Sequence, residues 1–203
     1  MGRQLDSWRA LLPAPLQWLD ENRFDFTEAG SATAYRSRAI SSSPIGGGTP
    51  TARMFDLAVL VAHLRSSFYY ARFLICLPFV YRALHSPDSL TPEDVDYCAL
   101  AVRNACLWPL SGNPSRNMKY LVPHHFTWTQ QFVRILLILR VAHEDNALKR
   151  ICQGRIDADG METTIFLLLN WIKDMTTIDG LAERSWNILR PLWGEEWLRK
   201  AGC

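Results

Sequence analysis

Between positions 57 and 75 the apolar residues Leu57, Val61, Leu64, Phe68, Ala71 and Ile75 recur at alternating steps of four and three, the spacing that gathers side chains on one face of an α-helix. This predicts a central helix laid on a core. By the same arithmetic Arg65, Tyr69 and Arg72 share a different face, so two cations flank an aromatic ring on a helix whose other sides are mostly apolar. A face of that composition is either solvated or sits at a contact, and Arg65, Tyr69 and Arg72 are the candidate contact cluster. The competing role for them is structural, with the cations packed on rings or paired with carboxylates. Pro78 lacks an amide hydrogen and crowds the preceding turn, which predicts a kink or restart near Leu77 before residues 79–84 carry the helix onward.

Upstream, residues 4–12 form a short predicted helix stopped by Pro13 and Pro15, with Leu16, Trp18 and Leu19 as apolar anchors beyond it. Residues 1–27 therefore read as an amino-terminal docking arm. Residues 28–50 turn to Ser, Thr, Ala, Gly and Pro, with little to bury and much backbone freedom to lose, the composition of a flexible linker. Residues 51–203 carry the main body. There Thr91 caps a helix with Pro92 at its first position and Glu93 and Asp94 in its first turn, expected to run to about Trp108 before Pro109.

A polar Gly-Asn-Pro-Ser turn follows, and Pro123 opens a long helix marked by Phe126, Phe132, Leu136, Leu139 and Val141, with Gln130 and Gln131 on a polar side. A shorter helix near 147–152 ends at about Gly154. Asp159 and Glu162 match a reciprocal amino-terminal cap ahead of the apolar run at 165–172, and helices near 181–189 and 195–200 finish the chain. The Ile-Leu-Leu-Ile-Leu run at 135–139 has strand propensity, but the longer helical pattern around it argues for helix. With no series of alternating strands and no internal repeat, the expected fold is all-α, a single irregular helical bundle with a long kinked central helix.

The 203 residues, 48% hydrophobic and 21% charged, suffice for a sizeable core. Eight tryptophans imply buried rings whose indole N–H groups need acceptors. A formal charge of +2 supplies no general field for nucleic acid, so direct nucleic acid binding by this chain is not expected. Five scattered cysteines, Cys76, Cys98, Cys106, Cys152 and Cys203, read as reduced thiols of an intracellular protein. Cys98 and Cys106 lie about 12 Å apart along one predicted helix, beyond disulfide reach. The amino terminus lacks the apolar stretch of a secretory signal, and the longest apolar runs are too short to span a bilayer, so neither secretion nor membrane insertion is expected.

Candidate chemistry is sparse. No Cys-x-x-Cys pair occurs, and His143 would lie about 27 Å along a continuous helix from the adjacent His124 and His125, too far for the three to share a metal. The Asp157-Ala158-Asp159-Gly160 segment has its glycine too early for a calcium loop and Leu168 where the closing glutamate belongs, so helix capping explains it better. Glu93, Asp94 and Asp96 read as a solvated cap rather than a magnesium site. There is no Gly-x-Ser-x-Gly elbow, and Gly46-Gly47-Gly48 lacks the lysine and hydroxyl of a phosphate loop. The basic residues Arg134, Arg140, Lys149, Arg150 and Arg155 are interrupted by acids, the pattern of a solvated face. No catalytic, cofactor-binding or metal-binding residue and no cofactor is expected.

The run Tyr69-Tyr70-Ala71-Arg72-Phe73, with Pro78-Phe79-Val80-Tyr81 and Ala83-Leu84-His85, resembles the carboxy-terminal regulatory region of fungal zinc binuclear-cluster transcription factors. The resemblance continues in order through Cys106-Leu107-Trp108-Pro109, Leu121-Val122-Pro123-His124, Phe126-Thr127-Trp128-Thr129-Gln130, residues 135–139, Trp171-Ile172-Lys173-Asp174-Met175 and residues 186–192. With Trp8 and Leu12-Pro13 it spans almost the whole chain apart from the linker. The chain departs from the family pattern at Leu77, where an arginine is usual, and at Tyr120 after Lys119, where another basic residue is usual. The six-cysteine cluster that defines the family is not present, so its metals and DNA-reading helix have no counterpart among these residues.

What the resemblance implies is a regulatory, non-DNA-reading domain of a fungal transcription regulator in the nucleus, responding to a small-molecule effector or contacting regulatory proteins or itself, and not an enzyme. The residues alone leave open a helical enzyme acting on an apolar metabolite, or a dimerisation or scaffold module.

Overall fold

The computed structural model describes residues 2–18, 57–111 and 125–203. The linker at 28–50, the end of the docking arm, the Gly-Asn-Pro-Ser turn and His124 lie outside the described residues. Seven helices and no strand make up the described chain, so the all-α expectation holds. They are α1 (Gly2–Ala10), α2 (Leu57–His85), α3 (Pro92–Ser111), α4 (His125–Glu144), α5 (Asn146–Cys152), α6 (Ala158–Met175) and α7 (Gly180–Lys200), with single 3-10 turns at Ala14–Leu16 and Pro87–Ser89. The strand-prone run at 135–139 is helical, inside α4.

The central helix α2 is one uninterrupted element with Pro78 inside it, so it does not restart at Leu77. Its buried stripe also differs from the one predicted. Of the predicted stripe Phe68 is buried, but Val61, Leu64, Ala71 and Ile75 are only half-buried, whereas Ser66, Tyr69, Phe73, Cys76, Val80 and Ala83 are buried at alternating steps of three and four. The deepest face is thus turned by about one residue, or roughly 100°. A helix that is apolar nearly all round gives no single stripe to read, and its neighbours decide which side faces inward.

Helices α2 and α3 form an antiparallel hairpin across the 3-10 turn, the largest helix pair of the fold. Its joint is a reciprocal cap: the Asp94 carboxylate accepts from Thr91 N–H at 2.9 Å and from the Thr91 hydroxyl at 2.8 Å, and Asp94 N–H donates to Thr91 Oγ1 at 3.2 Å. Arg82 of α2 reaches the other oxygen of Asp94 at 2.7 Å. Asp94 is therefore a buried structural acid rather than part of a solvated cap. The Thr91 hydrogen bonds, with help from Arg82, hold its carboxyl below the usual carboxylate range.

Among the described residues the buried apolar side chains belong to one core cluster, from Trp18 to Ala201. At its centre the rings of Tyr70, Trp108, Phe132 and Trp171 follow one another with centroids 5.0, 5.5 and 5.3 Å apart, linking α2, α3, α4 and α6. Two buried polar side chains find backbone partners there: Thr164 donates to the Cys106 carbonyl at 3.2 Å, and Asn104 to the Leu100 carbonyl at 2.6 Å. Caps set the later helices. Asp145 accepts from the amides of Ala147 and Leu148, and Asp179 from that of Leu181.

The helix expected to be capped at Asp159 instead starts at Ala158 after Asp157, which makes no side-chain cap hydrogen bond. Pro109 and Pro191 lie inside helices, so α3 continues past Trp108, and the penultimate helical run passes Leu189 to Trp193. There Gly194 breaks the helix at φ 72° and ψ 165°, a conformation open essentially to glycine alone. The final turns then fold back so that Trp197 meets Trp193, Phe166 and His143 at centroid distances of 5.2, 5.5 and 5.1 Å.

Candidate interaction site

The predicted cluster on α2 is split by the fold. Tyr69 is turned into the core, 2% exposed, because it belongs to the buried stripe, while Arg65 and Arg72 remain half-buried at its edges. Arg72 meets the amino-terminal segment: its Nη1 lies 3.2 Å from Asp6 Oδ1 and its Nη2 donates to Asp6 Oδ2 at 3.4 Å. The Asp6 and Arg72 side chains are 48% and 21% exposed, so solvent screens the pair and it contributes roughly 0.2–1 kcal/mol.

The hub of this site is Phe68, which lies one turn from each arginine along α2. Trp8 stacks on its ring at 6.4 Å, Trp18 meets it edge-on at 5.5 Å, and the guanidinium groups of Arg72 and Arg9 lie 5.6 and 5.5 Å from its centroid. Arg9 also covers the Trp18 ring at 4.9 Å and donates to the Trp18 carbonyl at 2.8 Å, which closes the turn through Pro13 and Pro15. The amino-terminal segment and α2 thus meet through an aromatic ring held between two indoles and two guanidinium groups. Leu5 and Leu12 add partly buried apolar contact on the same side.

Sequence reasoning placed Phe68 on the core stripe and so missed its part in this contact. The available signal was its spacing, three residues after Arg65 and four before Arg72. Beneath the pair, burial is the main cause that raises the Cys76 thiol above its ordinary value; Arg72 opposes this and Asp6 adds to it.

The remaining candidates do not converge. Arg134 donates to Tyr70 Oη at 3.1 Å, Arg140 pairs with Glu144 on its own helix, and Arg155 lies 3.4 Å from Asp96. The basic stripe is therefore dispersed among separate partners. The Asp96–Arg155 pair spans a shallow cleft of about 170 Å³ whose remaining walls are Ala99, Leu100 and Arg103.

Burial drives the thiols of Cys98 and Cys106 up to about 12 and that of Cys152 to about 11, which keeps them protonated and unreactive at neutral pH. Among the described residues no group of three or more His, Cys, Asp or Glu side chains is placed to hold a metal ion, and no helix is long and apolar enough to cross a membrane. Compared with protein-family models, curated proteins and solved structures, the chain finds no significant match.

Proposed function

We propose that this chain is a regulatory, non-DNA-reading domain of a fungal transcription regulator, acting in the nucleus through protein contacts or an effector rather than by catalysis. The observation that carries the reading is the contact on α2, where Phe68 and Arg72 are engaged by a segment distant in sequence. A surface that already holds one tryptophan-bearing segment through a ring and a carboxylate supports a role in recognition. The core behind it supports the same reading, since large rings fill its centre and couple four helices. An effector or partner would bias such a domain by binding one arrangement of the amino-terminal segment better than another.

Tethering tests this directly. Fused to an unrelated DNA-binding module at a reporter promoter in a fungal host, the chain is expected to change transcription at least several-fold, and Phe68→Ala with Arg72→Glu is expected to alter that output at equal protein level. A reporter indifferent to the tethered chain would refute the reading.

A further inference from the structure

The amino-terminal segment fits its place on α2 imperfectly. Arg72 uses its two terminal nitrogens on Asp6 at 3.2 and 3.4 Å, long for charge-assisted hydrogen bonds, while its Nε is buried with no acceptor among the described residues. Trp18 is enclosed, yet its indole Nε1 also finds no acceptor among the described residues. Trp8 stacks on Phe68 and still stays 39% exposed. Buried donors without acceptors cost stability that a better-fitting occupant would recover.

We propose that this face of α2 is a docking site for a carboxylate- and tryptophan-bearing helical segment of a partner protein, and that residues 2–18 are its resident, displaceable occupant. The inference deepens the regulatory reading and rests on it for the partner's being a regulatory protein. The chemistry of the ligand follows from the resident. It has an apolar stripe like Leu5, Trp8 and Leu12 at steps of three and four, a carboxylate beside that stripe facing Arg72, and a second ring against the edge of Phe68. Glutamate is one methylene longer than Asp6, so a ligand with glutamate at that place is expected to extend toward the Nε edge of Arg72 and the donor left bare there.

A second copy of this chain is the weaker occupant. It would bring the same imperfect segment, against a resident whose tether holds it at an effective concentration on the order of millimolar. Displacement at micromolar concentration needs a ligand that fits better.

The test uses the full chain and fluorescently labelled peptides with the sequence of residues 2–18, read by anisotropy. The Asp6→Glu peptide is expected to bind the unaltered chain measurably, and to bind the chain carrying Asp6→Ala and Trp18→Ala at least tenfold more tightly, because the resident there is weakened. It is expected to bind more tightly than the peptide with Asp6 retained. Arg72→Glu in the chain is expected to cost tenfold or more, and an Asp6→Arg peptide to recover binding to that variant. Circular dichroism checks that each variant is folded, and Arg72→Gln replaces Arg72→Glu if the reversal unfolds the chain.

Equal affinity for the unaltered, resident-weakened and Arg72-substituted chains would overturn the proposal. So would a sedimentation mass that doubles with concentration while the peptides fail to bind, since that assigns the face to a second copy. Peptide binding is read without transcription, so a silent reporter alongside specific peptide binding would sink the regulatory reading and leave the docking site standing.

Discussion

Phe132 joins three helices, and removing its ring is the sharpest test of the core. The side chain is 1% exposed, its centroid 5.5 Å from that of Trp108 on α3 and 5.3 Å from that of Trp171 on α6. Phe132→Ala leaves a void between two indoles that are themselves held by other contacts, so little collapse can fill it. Such truncations cost about 3–5 kcal/mol. The two ring contacts, each worth about 0.5–1.5 kcal/mol beyond buried area, place this one in the upper half of that range. For a chain of this length each kcal/mol moves the melting midpoint by roughly 2–4 °C, so a fall of roughly 8–20 °C is expected by far-ultraviolet circular dichroism. The urea midpoint should fall with an unchanged slope, since the surface exposed on unfolding is nearly the same. Tyr81→Ala, at a side chain 64% exposed, is the control and should stay within about 0.5 kcal/mol. A loss at Phe132 below about 1 kcal/mol, or no larger than at Tyr81, would refute the convergence of these helices on that ring.

Asp145→Ala removes an acceptor from two amides and is expected to cost about 1 kcal/mol, whereas Asp159→Ala, in the first turn but not the cap, should cost no more than about 0.5 kcal/mol; equal losses in urea titrations would show the caps misassigned. At Gly194 an added Cβ meets nothing within 4 Å, so Gly194→Ala should cost roughly 1–3 kcal/mol through backbone strain alone, and a neutral melt would mean the helix runs through unbroken. Asp94 has its folded pKa lowered, so its ionised form is favoured by folding: the stabilisation is present in full above the unfolded value of about 3.9 and is lost as pH falls through the lower folded value. The stability gap between the unaltered chain and Asp94→Asn is therefore expected to narrow in acid melts below about pH 4. A gap independent of pH would refute the ionised cap.

Helical class and the existence of most elements were legible because each is a local matter. Thr91 and Pro92 start α3, Gly154 ends the turn after α5 at φ 72°, and the three-and-four spacing of Phe132, Leu136 and Leu139 survives as the buried side of α4. Pro109 misled the expectation, since a lost hydrogen bond predicts an end and α3 continues through it; α2 and α7 likewise hold Pro78 and Pro191 inside them. Long helices anchored on both sides of a proline by packing can carry that loss. In the candidate site, Arg72 takes the structural role weighed for the triplet Arg65, Tyr69 and Arg72, a cation paired with a carboxylate and packed on a ring, while Tyr69 faces the core. Phe68 escaped notice because an apolar residue on an apolar helix carries no mark of its own.

Period, caps and turn chemistry are written along the chain, since each depends on residues within a turn or two, and they set the all-helical class and where helices begin. Which side of α2 faces inward, that Asp94 lies buried between Thr91 and Arg82, and that Phe68 is covered by residues some sixty and fifty positions earlier were decided only when the helices packed. Such contacts depend on the direction of every neighbouring helix at once, and when a helix is apolar almost all round, only those neighbours can choose its buried face.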